Sequence, residues 1–163
     1  GISAIATSKA NLQWIQKRLT IQTISYDKIN QLRHVRYFKN LDGLKAHMRK
    51  HAELLRPKFD AVLDIFNIEL SETGAGTWTK PMGGYFISFE TVPGCAKAVV
   101  AKCKEAGVVL TGAGAPFPYG VDPADSNIRI APSYPTPEEL TTAAKLFALC
   151  VKLVTVEKII SER

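Results

Sequence analysis

The chain has 163 residues, 46% of them hydrophobic and 22% charged, with a formal net charge of +6. That balance fits one globular domain of ordinary size and excludes a disordered chain, and no stretch approaches the roughly 18 apolar residues of a membrane-spanning helix. The charge is lopsided: residues 1–58 hold 12 Lys and Arg against 3 Asp and Glu, whereas residues 59–163 hold 9 against 12. A basic first third suits nucleic acid or an acidic partner surface. No stacking aromatics, helix-turn-helix pattern or zinc knuckle accompany it, so nucleic-acid binding is disfavoured and a basic face that meets another part of a larger protein is the better reading.

Taken in order, Ser8 is placed to cap a first helix that runs to about Leu19, with Leu12, Ile15 and Leu19 at helical spacing. Ser25 or Asp27 opens a second, reaching Phe38. Its apolar residues Ile29, Leu32, Val35 and Phe38 make one narrow stripe, and Asn30, Gln31, Arg33, His34 and Arg36 lie opposite and beside it. That polar set is either a solvated face or the wall of an anionic pocket. A third helix is expected from Asp42 to about Phe66. Leu44, Met48, His51, Leu55, Phe59, Val62, Leu63 and Phe66 share one face, and Pro57 predicts a bend. His47 and His51 have the spacing of a zinc-binding pair. Met48 stands where a zinc protease needs Glu, and Arg49 and Lys50 repel a cation, so no metal site is expected.

Thr77–Lys80 reads as a strand, Pro81–Gly84 as a tight turn and Tyr85–Glu90 as the second strand of a hairpin. Pro93 or Gly94 opens a helix through Ala106 that Gly107 ends, and Val108–Leu110 reads as a short buried strand. The glycine-rich loop 111–120 lacks the Lys, the Ser/Thr and the following helix of a phosphate cradle; with Phe117 and Tyr119 it looks like a pocket lid or an ordinary surface loop. Asn127–Ala131 is a strand. Thr136, Pro137, Glu138 and Glu139 open a last helix to about Ser161, whose apolar set is Leu140, Ala144, Phe147, Leu149, Cys150, Leu153 and Val154. The order defines an α+β fold: a small, mostly antiparallel sheet with helices packed on it. Cys95, Cys103 and Cys150 form no CxxC pair and read as reduced thiols of a cytoplasmic protein, each a small core hydrophobe.

One residue carries a chemical question. Arg129 lies between Ile128 and Ile130, and if those two face the core, the period of two turns Arg129 to the opposite face. A guanidinium on a rigid strand is either a solubilising edge residue or a receptor for a carboxylate or phosphate.

The run Thr79-Lys80-Pro81-Met82-Gly83-Gly84-Tyr85-Phe86, the Gly107-Val108 helix end, the 112–120 loop and Asn127-Ile128-Arg129-Ile130-Ala131 before a Thr-Pro-Glu-Glu-Leu helix start resemble one known domain. It is the small C-terminal domain of fold-type I pyridoxal-phosphate-dependent aminotransferases, in the bacterial aspartate aminotransferase-like branch. Asn30-Gln31-Leu32-Arg33-His34-Val35-Arg36 resembles the same branch, and the likeness covers nearly the whole chain. The resemblance implies that Arg129 pairs bidentately with the α-carboxylate of an amino-acid substrate. It implies that Gly84 and Tyr85 lie close to the substrate and that Phe117 and Tyr119 line the entrance. Asn30, Arg33, His34 and Arg36 would form a pocket wall, reaching across a homodimer to a side-chain carboxylate. The implied reaction moves an amino group from an amino acid of the aspartate or glutamate type to a 2-oxo acid.

The family's Schiff-base lysine follows a Ser and precedes a glycine-rich segment. The only Ser-Lys here, Ser8-Lys9, leads into Ala10-Asn11-Leu12 with no glycine until Gly43, so Lys9 fails the motif. The expectation is therefore a C-terminal piece that binds pyridoxal phosphate mainly through residues upstream and is inactive alone. Residues 1–40 would be a remnant of the large cofactor-binding domain and connecting helix, and 41–163 the small domain. Two alternatives stay open: the same domain as the effector half of a transcriptional regulator, or a free-standing α+β ligand-binding or interaction domain with a complete hydrophobic core and residues 1–40 packed on the rest.

Overall fold

Side chains that cap helices set most of the element starts. The Ser8 hydroxyl accepts the Asn11 N–H at 3.3 Å and opens α1, Lys9–Gln22; the Asp27 carboxylate accepts the Asn30 N–H at 2.8 Å and opens α2, Lys28–Phe38. Asn40 accepts the Gly43 N–H at 2.9 Å and opens α3, Leu41–Leu70, which starts one residue earlier and runs a turn longer than its sequence pattern suggests. Helix α3 continues unbroken through Pro57. These are the first elements of a computed structural model that describes residues 2–163.

The chain divides into two compact units, Gly1–His51 and Ala52–Arg163. The first holds α1, α2 and the start of α3. Neither α1 nor α2 contributes a buried residue: Ile29, Leu32 and Val35 of the apolar stripe all stay exposed. Its one dense spot is aromatic, where Phe38 and Tyr37 meet the His47 ring edge-on at 5.3 and 5.4 Å. Leu44, Met48 and His51, expected on the covered face of α3, are exposed or nearly so.

The second unit holds the core. The strands β1 (Gly76–Trp78), β2 (Ile87–Thr91) and β3 (Asn127–Ile130) form an antiparallel sheet in the order β1-β2-β3. Register pairs Trp78 with Phe89, Ile87 with Ile130 and Phe89 with Ile128, so one face carries an unbroken apolar surface. Phe66 of α3, Phe89 of β2 and Phe147 of α5 (Pro137–Ser161) pack with centroids 4.9–5.4 Å apart, and Trp78 stacks on Phe89 at 6.0 Å. Tyr85 and Phe86, expected inside β2, precede it and remain half exposed. Helix α5 starts on the full capping box of Thr136 and Glu139. Its Leu149 and Leu153, expected inward, point away from the stripe of Leu140, Ala144, Phe147, Val151 and Val154 and stay exposed.

Two other expectations fail because of contacts with residues distant in sequence. Helix α4, Ala96–Glu105, begins two to three residues later than Pro93-Gly94 suggests. Its first amides are taken by a distant turn: the Asp125 carbonyl accepts the Ala96 N–H at 2.9 Å and its carboxylate accepts the Lys97 N–H at 3.2 Å. Val108–Leu110 is not a strand. The carbonyl of Asn127 on the outer edge of β3 accepts the Gly114 N–H at 3.0 Å instead, and Val109 is left 81% exposed. The α+β architecture itself stands as read.

The earliest buried residue among those described is Val62. No described helix is long and apolar enough to cross a membrane.

Candidate functional site

The polar face of the sheet carries the site. Ile128 is fully buried and Ile130 nearly so, and Arg129 between them turns to the other face, half covered. Ser88 sits directly opposite Arg129 in the register. The guanidinium carbon lies 4.6 Å from the centre of the Phe86 ring. The Nε atom is buried and has no hydrogen-bond partner, and among the described residues Arg129 makes no ion pair. An unpartnered buried donor costs about 1–3 kcal/mol. A planar cation held by a strand, with its donors unspent, is complementary to a planar anion and above all to a carboxylate.

The carboxylate that could have taken Arg129 is occupied. Glu90, one pair along on the same face, is held by Asn127 Nδ2 and by the Ser126 hydroxyl at 2.8 Å, and Asn127 Nδ2 also donates to Ser88 Oγ at 2.8 Å. Asp122 fixes the start of β3: its carboxylate accepts the N–H groups of Asn127, Ser126 and Ala124 at 2.8–2.9 Å. Those bonds, that of Asn127 first, hold its carboxyl below the ordinary range against the opposing effect of burial. Below the strand, a cavity of about 180 Å³ opens among Val108–Thr111, Arg129–Pro132 and apolar side chains of α3 and α5.

The other predicted residues fall around this centre unevenly. Gly84 turns the chain at φ +88° and Tyr85 is 52% exposed, both just ahead of Phe86. Phe117 is half-buried; Tyr119, at φ +58° on a single 3-10 turn (Pro118–Gly120), is fully exposed. Neither lines the cavity below the strand, though the Gly114 bond ties their loop to β3 two residues before Arg129. In the first unit, Arg33, His34, Arg36, Tyr37, Phe38 and His47 surround a cleft of about 550 Å³. His34 Nδ1 lies 2.8 Å from the Asn30 carbonyl oxygen, so that nitrogen carries the proton. His47 and His51 contact each other at 3.0 Å between Nε2 atoms, and no group of three or more metal-ligating side chains occurs among the described residues. Cys95, Cys103 and Cys150 are all buried and free; burial, with Cys150 beside it, pushes the Cys103 thiol up to about 12.

Phe86 and the Glu90–Asn127–Ser126–Ser88 network escape the sequence reading. Phe86 reads there as one more strand hydrophobe, although its alternation with buried Ile87 already puts it on Arg129's side of the sheet. Asp122-Pro123 is legible as a turn, but its three amide partners are not.

A three-stranded antiparallel sheet with helices on its apolar face, and on the other an arginine without an ion pair among the described residues, makes an α+β domain. Comparison with known proteins gives that class a family. The family described as aspartate amino-transferase matches residues 1–163, and the chain belongs to it. An aspartate aminotransferase of Corynebacterium glutamicum is 47% identical over 157 residues, which is 96% of this chain and 36% of that protein. A crystal structure of an aspartate transaminase from the same species superposes with a TM-score of 0.81 at 47% identity, over 93% of this chain and 36% of the other. An α-aminoadipate aminotransferase of Thermus thermophilus, solved with N-(5'-phosphopyridoxyl)-L-leucine, shares the fold at a TM-score of 0.60 and 19% identity, over 70% of this chain and 28% of the other. The chain thus spans a little over a third of the length of the curated relative it matches.

Proposed function

We propose that these residues form the substrate-carboxylate half of a pyridoxal-phosphate-dependent aminotransferase that moves an amino group between an amino acid of the aspartate or glutamate type and a 2-oxo acid. The observation that carries the reading is the guanidinium of Arg129: half covered, rigidly mounted, its Nε buried and unpaired, with the neighbouring Glu90 held by other donors. Bidentate pairing with an α-carboxylate would complete it and fix the substrate's Cα in one orientation. Gly84 and Tyr85 flank the substrate, and Phe117 and Tyr119 stand at the entrance. Asn30, Arg33, His34 and Arg36 supply a cationic wall for a side-chain carboxylate, received across a homodimer. The cleft among Arg33, His34 and Arg36 supports that assignment.

The described residues do not fit the cofactor itself. Lys9 is exposed on the first turn of α1, and the glycine-rich loop 111–120 leads into a three-residue turn rather than a helix N-terminus that could cradle a phosphate. The chemistry assigned to this chain is therefore confined to holding and orienting substrate, and pyridoxal phosphate is held elsewhere in the parent protein. There the cofactor would supply an electron sink for the substrate's Cα–H bond. A reducing cytoplasm suits the three free thiols.

The test is a binding titration on the full-length protein with a dicarboxylate. Arg129→Ala removes a bidentate charged pair, so affinity should fall by about 2–3 kcal/mol, roughly 30- to 150-fold. Affinity within a few-fold of the parent would reject the carboxylate assignment.

A further inference from the structure

We infer that Phe86 is the positioning residue for Arg129: its ring holds the guanidinium plane so that the fork meets a carboxylate already oriented. The inference rests on the carboxylate reading above and adds a residue to it. Phe86 immediately precedes β2, whose first residue, Ile87, is fully buried and paired with Ile130. Alternation puts Phe86 on the side of Ser88 and Arg129 and one pair along from them, and the guanidinium carbon lies 4.6 Å from its ring centre.

The chemistry of the contact matters. A ring face attracts a cation through its quadrupole but accepts none of the in-plane N–H bonds. Glu90 in the same place would pair with the guanidinium and compete with substrate; it is tied instead to Asn127 and Ser126. Phe86 thus restrains a long, flexible cation while leaving its donors free. A ring used only as core filling would be covered, yet Phe86 is 47% exposed, and Ile87 next to it does the filling.

The experiment uses the full-length enzyme with Phe86→Leu, which keeps an apolar side chain and removes the ring face, and with Phe86→Tyr, which restores it. For Phe86→Leu, KM for the amino-acid substrate and Ki for succinate should both rise about tenfold, about 1.4 kcal/mol, with kcat within twofold. Phe86→Tyr should stay within twofold of the parent in all three. On an Arg129→Lys background, which lacks the planar fork, Phe86→Leu should add less than twofold. Should Phe86→Leu fail to fold, Phe86→Met gives the same comparison. If Phe86→Leu leaves Ki within twofold while Arg129→Lys weakens binding, the positioning assignment falls and the carboxylate reading survives. If Arg129→Lys also binds succinate unchanged, the carboxylate reading falls first. An equal loss from Phe86→Leu with and without Arg129 would make Phe86 a direct contact and overturn its action through the arginine.

Discussion

Asp122 sets where a strand begins. Its two oxygens collect the N–H groups of Ala124, Ser126 and Asn127, which starts β3 in register with β2 two residues before Arg129. Hydrogen bonds to the charged form keep its carboxyl below the ordinary value near 3.9. A depressed carboxyl contributes stability that is fully present above the unfolded pKa and is lost as pH falls through the folded one. Asp122→Asn should therefore melt below the parent at neutral pH, and the gap should narrow in thermal scans taken progressively below about pH 4. A gap that stays constant to pH 2 would mean that the charge plays no part. Asp122-Pro123 marks a turn in the sequence; which amides the carboxylate collects depends on a backbone path, with Asp125 at φ +46°, that residue types do not specify.

At the scale of elements, β1 depends on the absence of a side chain. A Cβ on Gly76 would stand 2.6 Å from the Phe89 ring and 2.7 Å from the Glu90 carbonyl oxygen. Gly76→Ala must push on the ring at the centre of the aromatic core and should destabilise by about 1–3 kcal/mol in chemical denaturation, with the folded spectrum retained. A change below 0.5 kcal/mol would show that the β1–β2 pair yields without strain. The hairpin was legible from the Trp78 and Phe89 runs around Pro81–Gly84, because alternation and turn residues are local signals. The start of α4 was not, because Asp125, some thirty residues away in sequence, takes its first amides. Nor was the fate of 108–110: three apolar residues are strand-like on paper, yet the Asn127 carbonyl of β3 accepts the Gly114 N–H and none of theirs.

Among the described residues, burial is confined to the second unit. There, twenty hydrophobic residues from Val62 to Val154 make the core, and α1 and α2 add none. In the 163-residue chain, hydrogen exchange should be slowest in β2 and in α5 around Ala148–Val151. Amides of α1 and α2 should exchange at least about a hundredfold faster, since protection follows burial and cooperative packing. Equal protection in α1 and α5 would mean that a second copy or another segment covers α1.

The sequence by itself determined the helices, the antiparallel α+β class and the family, because periodicity, capping residues and turn residues act over a few positions, and a motif set in order is specific. Only the tertiary structure decided that Glu90 is taken, that Phe86 faces the guanidinium and that Asp122 anchors β3. Those outcomes depend on which strands pair in which register, and a pairing between Ser88 and Arg129 joins residues whose separation along the chain leaves no local trace.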